Sequence, residues 1–327
     1  MQSRKNTNSP GVYTTMDELI RLQHKAAGFS FLPRQPVHSL LSGRNASRLR
    51  GRGLDFEELR QYRPGDDIRA MDWKATRRTG EPYVRVYTED RERPVLLVVD
   101  QRLTMFFGSQ VNMKSVTAAQ AAALAAWRVV AGGDRVGAVI FNDDDIQVIR
   151  HQRSKKTVMR IIQIIVEQNN KLGVDRGIAP ASDMLNQALR KAVSLSKHDY
   201  LVCVISDFFG MNDETLQHAK KLCRHNDLIL VPVYDPLAQK LPDNGSLVVS
   251  DGGRQIRLDS HDRQLREHFP EFFEGRLKTL SDALTRFGVP VLPINTVEDV
   301  AKQVRKALGF VPGRQARTGK VAVRGSR

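Results

Sequence analysis

Short apolar runs that end on polar residues alternate with helical segments from residue 95 onward. The runs have the length and the Val and Ile content of buried strands: VLLVVD up to Asp100, RVGAVIF, IQVIR, YLVCVIS before Asp207, LILVPVY and residues 290–294. Helical periodicity, N-cap residues and stop signals place helices between them, over residues 112–131, 154–165, 183–195, 216–223, 263–287 and 297–308. This alternation predicts a doubly wound α/β sheet whose strands are mostly parallel.

Two short connections predict departures from an entirely parallel sheet. Only residues 142–145 separate the second run from the third, which is too short for a parallel crossover, so the third strand should be an antiparallel edge. The runs SLVVS and RQIRL flank Asp251-Gly252-Gly253 and predict a small β-hairpin insertion.

The positive charge of the chain is concentrated at its two ends. The 327 residues carry a formal net charge of +15, of which residues 1–54 contribute +7 and residues 310–327 contribute +5. Basic arms of this kind either bind an anionic partner, such as a nucleic acid, or act as solubilising tails. A nucleic-acid-binding role for the termini is therefore kept as an alternative.

Composition also bears on the cellular compartment. The chain has two cysteines without metal-ligand spacing, no apolar leader and no uninterrupted apolar run of the roughly 20 residues that a membrane span requires. We therefore expect a soluble cytoplasmic protein.

The first predicted strand ends on Asp100, and Arg102 and Thr104 follow it. In a sheet of order 3-2-1-4-5-6, the first and fourth strands are neighbours where the winding reverses, and ligands bind beyond their carboxyl ends. Asp207 follows the fourth strand, and Ser182 precedes a connecting helix. Carboxylate and hydroxyl oxygens in one crevice suit Mg²⁺ or Mn²⁺, but Arg102 brings a permanent positive charge to the same turn.

The segment before the first predicted strand carries a series of distinctive motifs. They are Gly51 to Phe56, Arg60-Gln61-Tyr62-Arg63-Pro64-Gly65-Asp66-Asp67 and Asp72-Trp73-Lys74, and Ile205-Ser206-Asp207-Phe208 follows later. With these motifs, residues 45–250 closely resemble the bacterial family of domain of unknown function fifty-eight. The resemblance implies a von Willebrand factor A-like domain and an adaptor or chaperone-like role beside an AAA+ ATPase of the MoxR type.

The same resemblance implies a metal-ion-dependent adhesion site of the pattern Asp-x-Ser-x-Ser with a distant Thr and a distant Asp. Asp100 and Asp207 match the two acids, Thr104 replaces the second Ser, and Ser182 stands for the Thr. Arg102 replaces the first Ser, and a guanidinium cannot ligate a cation. The implied site is therefore degenerate.

Three arrangements of this turn remain open. Arg102 can turn inward and pair with Asp100 and Asp207, or turn outward and leave Asp100, Thr104, Ser182 and Asp207 to hold a weakly bound ion. In the third arrangement the two carboxylates only accept backbone amide bonds near helix N-termini. The acidic run Asp143-Asp144-Asp145 lacks the ligand spacing of a calcium-binding loop and is interpreted as a solvated hairpin turn.

These observations favour a non-catalytic protein-interaction module. Its partner is expected to be a MoxR-type AAA+ ATPase, or another protein with an acidic contact residue, and Arg102, Asp100 and Asp207 are the expected contacts. No catalytic or cofactor-binding residue is predicted, because no GxxxxGK[ST], HExxH or GxSxG motif is present. A divalent-metal phosphoesterase that holds its ion through Asp100 and Asp207 is the enzymatic alternative.

Four segments follow from this interpretation. Residues 1–50 form a basic N-terminal arm with a short helix at 16–27, and residues 51–94 form a family-specific block packed on the core. Residues 95–309 form the α/β domain, and residues 310–327 a basic, disordered tail.

Overall fold

A computed structural model describes residues 10–26, 54–64, 66, 68–89, 94–239, 245–250, 255–259, 275, 278–279, 282–284 and 287–308. The helix predicted over 263–287 and the tail 310–327 lie largely or wholly outside these residues. The chain divides into two compact units, one made of residues 1–37 and 93–327 and the other of residues 38–92. The smaller unit is therefore inserted into the sequence of the larger one.

The larger unit is an α/β sandwich. Its strands are β3 (Val95–Asp100), β4 (Val136–Phe141), β5 (Ile146–Gln152), β6 (Leu201–Ser206), β7 (Asp227–Tyr234) and β10 (Ile294–Asn295). Its helices are α1 (Met16–Arg21), α3 (Lys114–Ala131), α4 (Lys155–Asn169), α5 (Met184–Leu195), α6 (Asp213–Cys223) and α7 (Val300–Leu308). A separate hairpin pairs β8 (Ser246–Ser250) with β9 (Gln255–Asp259) in antiparallel register.

The six strands form one sheet in the order β10-β7-β6-β3-β4-β5. In core-strand numbering this is the predicted order 3-2-1-4-5-6, and β5 is its antiparallel edge strand as expected. The doubly wound α/β class, the antiparallel edge and the hairpin are thus confirmed. The last strand is shorter than predicted, because only Ile294 and Asn295 pair continuously with β7, and Val291 makes an isolated bridge to Leu230.

Burial on both faces explains the continuous apolar runs. All six residues of β3, β4 and β6 are buried. One face packs against α1, α3, α4 and α7, and the other against α5 and α6. Strands covered by helices on both sides have no solvent-facing side on which polar residues could alternate with apolar ones. This explains why the sequence shows continuous apolar runs.

The short N-terminal helix is part of the α/β core. Leu19 is completely buried, and the indole Nε1 of Trp127 in α3 donates to its carbonyl oxygen at 3.1 Å. Thr15 caps α1 through a reciprocal capping box with Glu18, and the helix ends in a 3-10 turn, Leu22–Lys25. At the end of that turn, Lys25 binds Asp299 at 2.7 Å. The described part of the predicted arm therefore packs on the main domain.

The smaller unit contains an antiparallel pair, β1 (Leu54–Gln61) and β2 (Tyr83–Glu89), with α2 (Trp73–Thr79) between them. Asp72 caps α2 by accepting the amides of Lys74 and Ala75, and Gly80 ends it in the left-handed region. This pair is absent from our sequence prediction. The packing of residues 51–94 on the core stays a prediction. None of the described helices combines the length and the apolar character that a membrane-spanning helix requires.

Candidate functional site

The candidate site lies at the carboxyl edge of the sheet, where β3 and β6 run side by side. Asp100 is the last residue of β3, and Asp207 immediately follows β6. Both are buried, and Arg102, two residues beyond Asp100, is only 1% exposed. The topological switch point therefore brings together the three residues that the sequence singled out.

Arg102 turns inward and binds Asp100 through several donors. Its Nη2 lies 2.7 Å from Oδ2 of Asp100, and its Nε lies 3.1 Å from each carboxylate oxygen. The backbone amide of Arg102 also donates to Oδ1 of Asp100 at 2.9 Å. Burial opposes the charge of Arg102, but the nearby carboxylates of Asp100, Asp207 and Asp143 together outweigh it and raise the pKa of the guanidinium. A charge-assisted pair of this geometry fixes the turn after β3.

The same guanidinium connects two other loops. Nη2 donates to the carbonyl of Phe209 at 3.2 Å, and Nη1 lies 3.4 Å from the carbonyl of Ser182. Nη2 is also 3.7 Å from Oδ1 of Asp207, and the guanidinium carbon lies 5.6 Å from the centre of the Phe141 ring. Arg102 thus holds the turns after β3 and β6 and the segment before α5 in one arrangement.

A second cation, Lys114, balances the charge of Asp207, and our sequence analysis did not predict it. Its Nζ lies 2.6 Å from Oδ2 of Asp207, and its side chain is 15% exposed. Burial tends to raise the pKa of Asp207, but Lys114 and Arg102 outweigh burial and hold that pKa below its usual range. Lys114 is the first residue of α3, where a positive charge is unfavourable because it opposes the helix dipole. A lysine at such a position indicates a carboxylate partner, and this was the signal in the sequence that could have revealed the contact.

The two hydroxyl residues of the implied metal site are placed differently. Ser182 is exposed, and its carbonyl oxygen rather than its hydroxyl contacts Arg102. The Oγ1 atom of Thr104 is buried and has no hydrogen-bond partner among the described residues. The hydroxyl that does reach Asp100 belongs to Ser206, at 2.6 Å, and it also accepts the amide of Phe208.

The interpretation of Asp143 as part of a solvated turn is wrong. Asp143 is 7% exposed and accepts the backbone amides of Leu103 at 2.6 Å and Ala181 at 2.9 Å. Burial raises the pKa of its carboxyl group despite these bonds. The sequence did not indicate this role, because the loops that cover Asp143 contain Leu103 and Ala181, which are distant from it in the chain.

A fourth carboxylate, Asp235, was also missed. It follows β7, is 1% exposed, and accepts bonds from the amide and hydroxyl of Ser109, the amide of Leu237 and the hydroxyl of Thr296. The four central strands of the sheet are β4, β3, β6 and β7. Each of them ends on, or is followed by, an aspartate that accepts loop amides; in the same order these are Asp143, Asp100, Asp207 and Asp235. These bonds shape the loops along the whole edge.

The loop after β6 has a constrained backbone. Phe208 adopts φ = 53° although it is not a glycine, and Gly210 adopts φ = 78°. A Cβ atom at Gly210 would lie 2.7 Å from the Cβ atom of Ser182, so the loop packs directly on the segment before α5. Between them Phe209 exposes 46% of its surface, while its amide and carbonyl are bound by Asp207 and Arg102. Strain maintained in this way is often found at functional loops.

The residues present do not fit the implied divalent ion. Two cationic side chains already bind Asp100 and Asp207, and neither a guanidinium nor an ammonium can act as a ligand. Within the described part of the chain, no group of three or more His, Cys, Asp or Glu side chains is arranged to hold a metal. The phosphoesterase alternative requires an ion at this position, and the two cations oppose it.

Comparison with known proteins gives relatives without a stated function. Over 270 residues the chain is 29% identical to the uncharacterized protein Rv1480 of Mycobacterium tuberculosis, covering 81% of this chain and 82% of the relative.

Similar solved structures include BatB from Bacteroides thetaiotaomicron, with a TM-score of 0.42 and 13% identity over 66% of this chain and 96% of that one. A von Willebrand factor type A protein from Catenulispora acidiphila aligns with a TM-score of 0.36 and 10% identity, over 68% and 42% of the two chains. A family model matches residues 58–275, two thirds of the chain, and the protein therefore belongs to the family described as protein of unknown function DUF58.

Proposed function

We propose that this protein is a non-catalytic, cytoplasmic interaction module that acts as an adaptor or chaperone-like partner of a MoxR-type AAA+ ATPase. The ATPase is the partner that the family resemblance implies. The docking surface of this proposal is the carboxyl edge of the sheet, and its centre is the loop 207–211. The observation that carries the proposal is the exposed ring of Phe209 on a loop fixed by buried ion pairs.

The rigidity of this loop favours recognition. An exposed aromatic ring is a frequent anchor in protein interfaces, where it fills a pocket on the partner. The amide and carbonyl of Phe209 are both bound by buried charged groups, at 2.9 and 3.2 Å. A loop backbone held in this way loses little conformational entropy on binding, which leaves more of the contact energy for affinity.

A second exposed apolar residue lies on the loop between β3 and α3. Val111 is 53% exposed, and the same loop is tied to Asp235 through Ser109. Phe209 and Val111 follow neighbouring strands of the sheet, so both belong to its carboxyl edge. We therefore assign the apolar part of the docking surface to these two residues.

The geometry modifies the proposed role of Arg102. A partner's carboxylate could reach this 1% exposed side chain only if the loops of Ser182 and Phe209 opened. In our proposal, Arg102, Asp100 and Asp207 support the docking surface from beneath. Lys114, at 15% exposure, is the cation better placed to meet an acidic residue of the partner at the edge.

The experiment is capture of a purified MoxR-type ATPase by the full-length protein and by its Phe209→Ala variant. Because Phe209 is half exposed, its removal should leave the fold intact while capture falls by roughly tenfold or more. Phe287→Ala is the matched control, since Phe287 is 37% exposed and precedes β10 instead of following a strand. Equal capture by both variants, with unchanged circular dichroism, would exclude the loop 207–211 as the docking site.

A further inference from the structure

We propose that Arg102 and Lys114 together take the place of one divalent cation, and that removing both converts the site into a Mg²⁺ or Mn²⁺ site. The new ligands would be Asp100, Asp207, Thr104 and a hydroxyl introduced at position 102. This inference concerns the chemistry of the crevice and does not depend on any partner.

The first argument is charge. Asp100 and Asp207 contribute two negative charges, and the two cations contribute two positive charges, the same total as a single divalent ion. Each cation approaches a different carboxylate, at 2.7 Å for Arg102 and 2.6 Å for Lys114. Arg102 also lies 3.7 Å from Asp207, so it bridges the two acids as an ion between them would.

The second argument is the oxygen set that remains. The hydroxyl of Thr104 is buried and has no hydrogen-bond partner among the described residues, which is unusual for a polar atom. Thr104 stands two residues after Arg102, so a serine at position 102 would restore the spacing Asp-x-Ser-x-Thr after β3. Carboxylates and hydroxyls, completed by water, are ligands that Mg²⁺ and Mn²⁺ accept.

The third argument concerns the number of substitutions. In an Arg102→Ser variant, Lys114 would still lie against Asp207, where it repels a dication and occupies one of its ligands. In a Lys114→Gln variant, Arg102 would still bind Asp100 and fill the crevice. Either cation alone therefore weakens Mn²⁺ binding, and only the double variant frees both carboxylates.

The test is calorimetric titration of Mn²⁺ into the full-length wild type, the two single variants and the Arg102→Ser/Lys114→Gln double variant. We expect the double variant to bind at least about tenfold more tightly than either single variant, and its thermal midpoint to rise with Mn²⁺. Adding Asp207→Asn to the double variant should remove the binding, which identifies the ligand.

With folded proteins, three results would overturn the proposal. They are Mn²⁺ binding by the wild type as tight as by the double variant, equal binding by Arg102→Ser alone, and a folded double variant that binds no Mn²⁺. If the double variant is unfolded without metal, Mn²⁺ should restore its circular dichroism, because metal binding and folding are then coupled. A double variant that stays unfolded at saturating Mn²⁺ also contradicts the proposal.

Discussion

Nζ of Lys114, the first residue of α3, lies 2.6 Å from Oδ2 of Asp207, the residue after β6. The two residues are 93 positions apart in the chain. Because Lys114 neutralises Asp207, Arg102 can bind mainly to Asp100. Two cations and two carboxylates therefore form one buried cluster rather than two independent pairs. The stability of the carboxyl edge should depend on every member of this cluster.

Replacing Arg102 by methionine should destabilise the protein by about 3–5 kcal/mol, because Asp100 would remain buried without its charged partner. Urea unfolding followed by circular dichroism measures this loss. Arg190→Met is the control: Arg190 forms a 2.7 Å pair with Glu214 at the surface, where solvent screens the charges, and its loss should cost much less. Equal losses in the two variants would contradict the role assigned to Arg102.

Asp207→Asn should reduce the loss of stability in acid. Lys114 and Arg102 lower the pKa of Asp207 against the effect of burial, so its contribution is present above the unfolded pKa near 3.8 and disappears as the pH falls through the lower folded value. Free energies of unfolding measured from pH 5 down to about pH 2 should therefore fall less steeply in the variant. An unchanged slope would show that Asp207 is not stabilised as an anion.

Asp143→Asn should act in the opposite direction on the same pH profile. Burial raises the pKa of Asp143, so its contribution is present below the unfolded pKa and is lost as the pH rises through the higher folded value. Removing the carboxyl group removes that loss, and stability should rise more steeply with pH above about 4 than in the wild type. A shallower rise would contradict the assigned shift.

Gly210→Ala should be more costly than Gly177→Ala, although both glycines have positive φ. The left-handed backbone costs about 1 kcal/mol for alanine at each position. At Gly210 the new methyl group would also lie 2.7 Å from the Cβ atom of Ser182, whereas no atom lies within 4 Å at Gly177. Thermal unfolding should show an added cost of roughly 1–3 kcal/mol at Gly210.

Leu19→Ala tests whether the N-terminal helix belongs to the core. Leu19 is fully buried against α3, so its truncation should cost about 2–5 kcal/mol and expose Trp127, with a red shift of the native fluorescence. Leu22→Ala, at a partly buried position on the same segment, is the control and should cost less. Equally small losses of stability in the two variants would indicate that this segment does not pack on the core.

The sequence determined the sheet well because its strands are buried on both faces. Apolar runs such as Val95–Asp100 and Leu201–Ser206 have few alternative structures, and the four-residue link after Phe141 allows only an antiparallel return. The order of the strands then followed from the doubly wound rule. The pair β1 and β2 was missed because its segment is rich in charged residues and lacks a clear period.

The candidate site was predictable only in part. Asp100, Arg102 and Asp207 could be found because each stands at or just beyond the end of a recognisable strand. Lys114 and Asp143 contact the site across long loops, and a contact between positions as distant as 114 and 207 has no local signature. The direction in which Ser182 points likewise depends on backbone geometry, so the sequence suggested its hydroxyl where the structure presents its carbonyl.

The contact of Lys25 with Asp299 has a consequence for the order in which the chain acquires its structure during synthesis. The two residues are 274 positions apart, so at 5–20 residues per second the ribosome needs about 15–55 s between them. Leu19 itself packs against α3 and α4, which leave the ribosome much earlier than α7, so most of the surface that the first helix covers is already present before Asp299 is made. The bond between Lys25 and Asp299 must therefore be among the last contacts of the N-terminal segment to form.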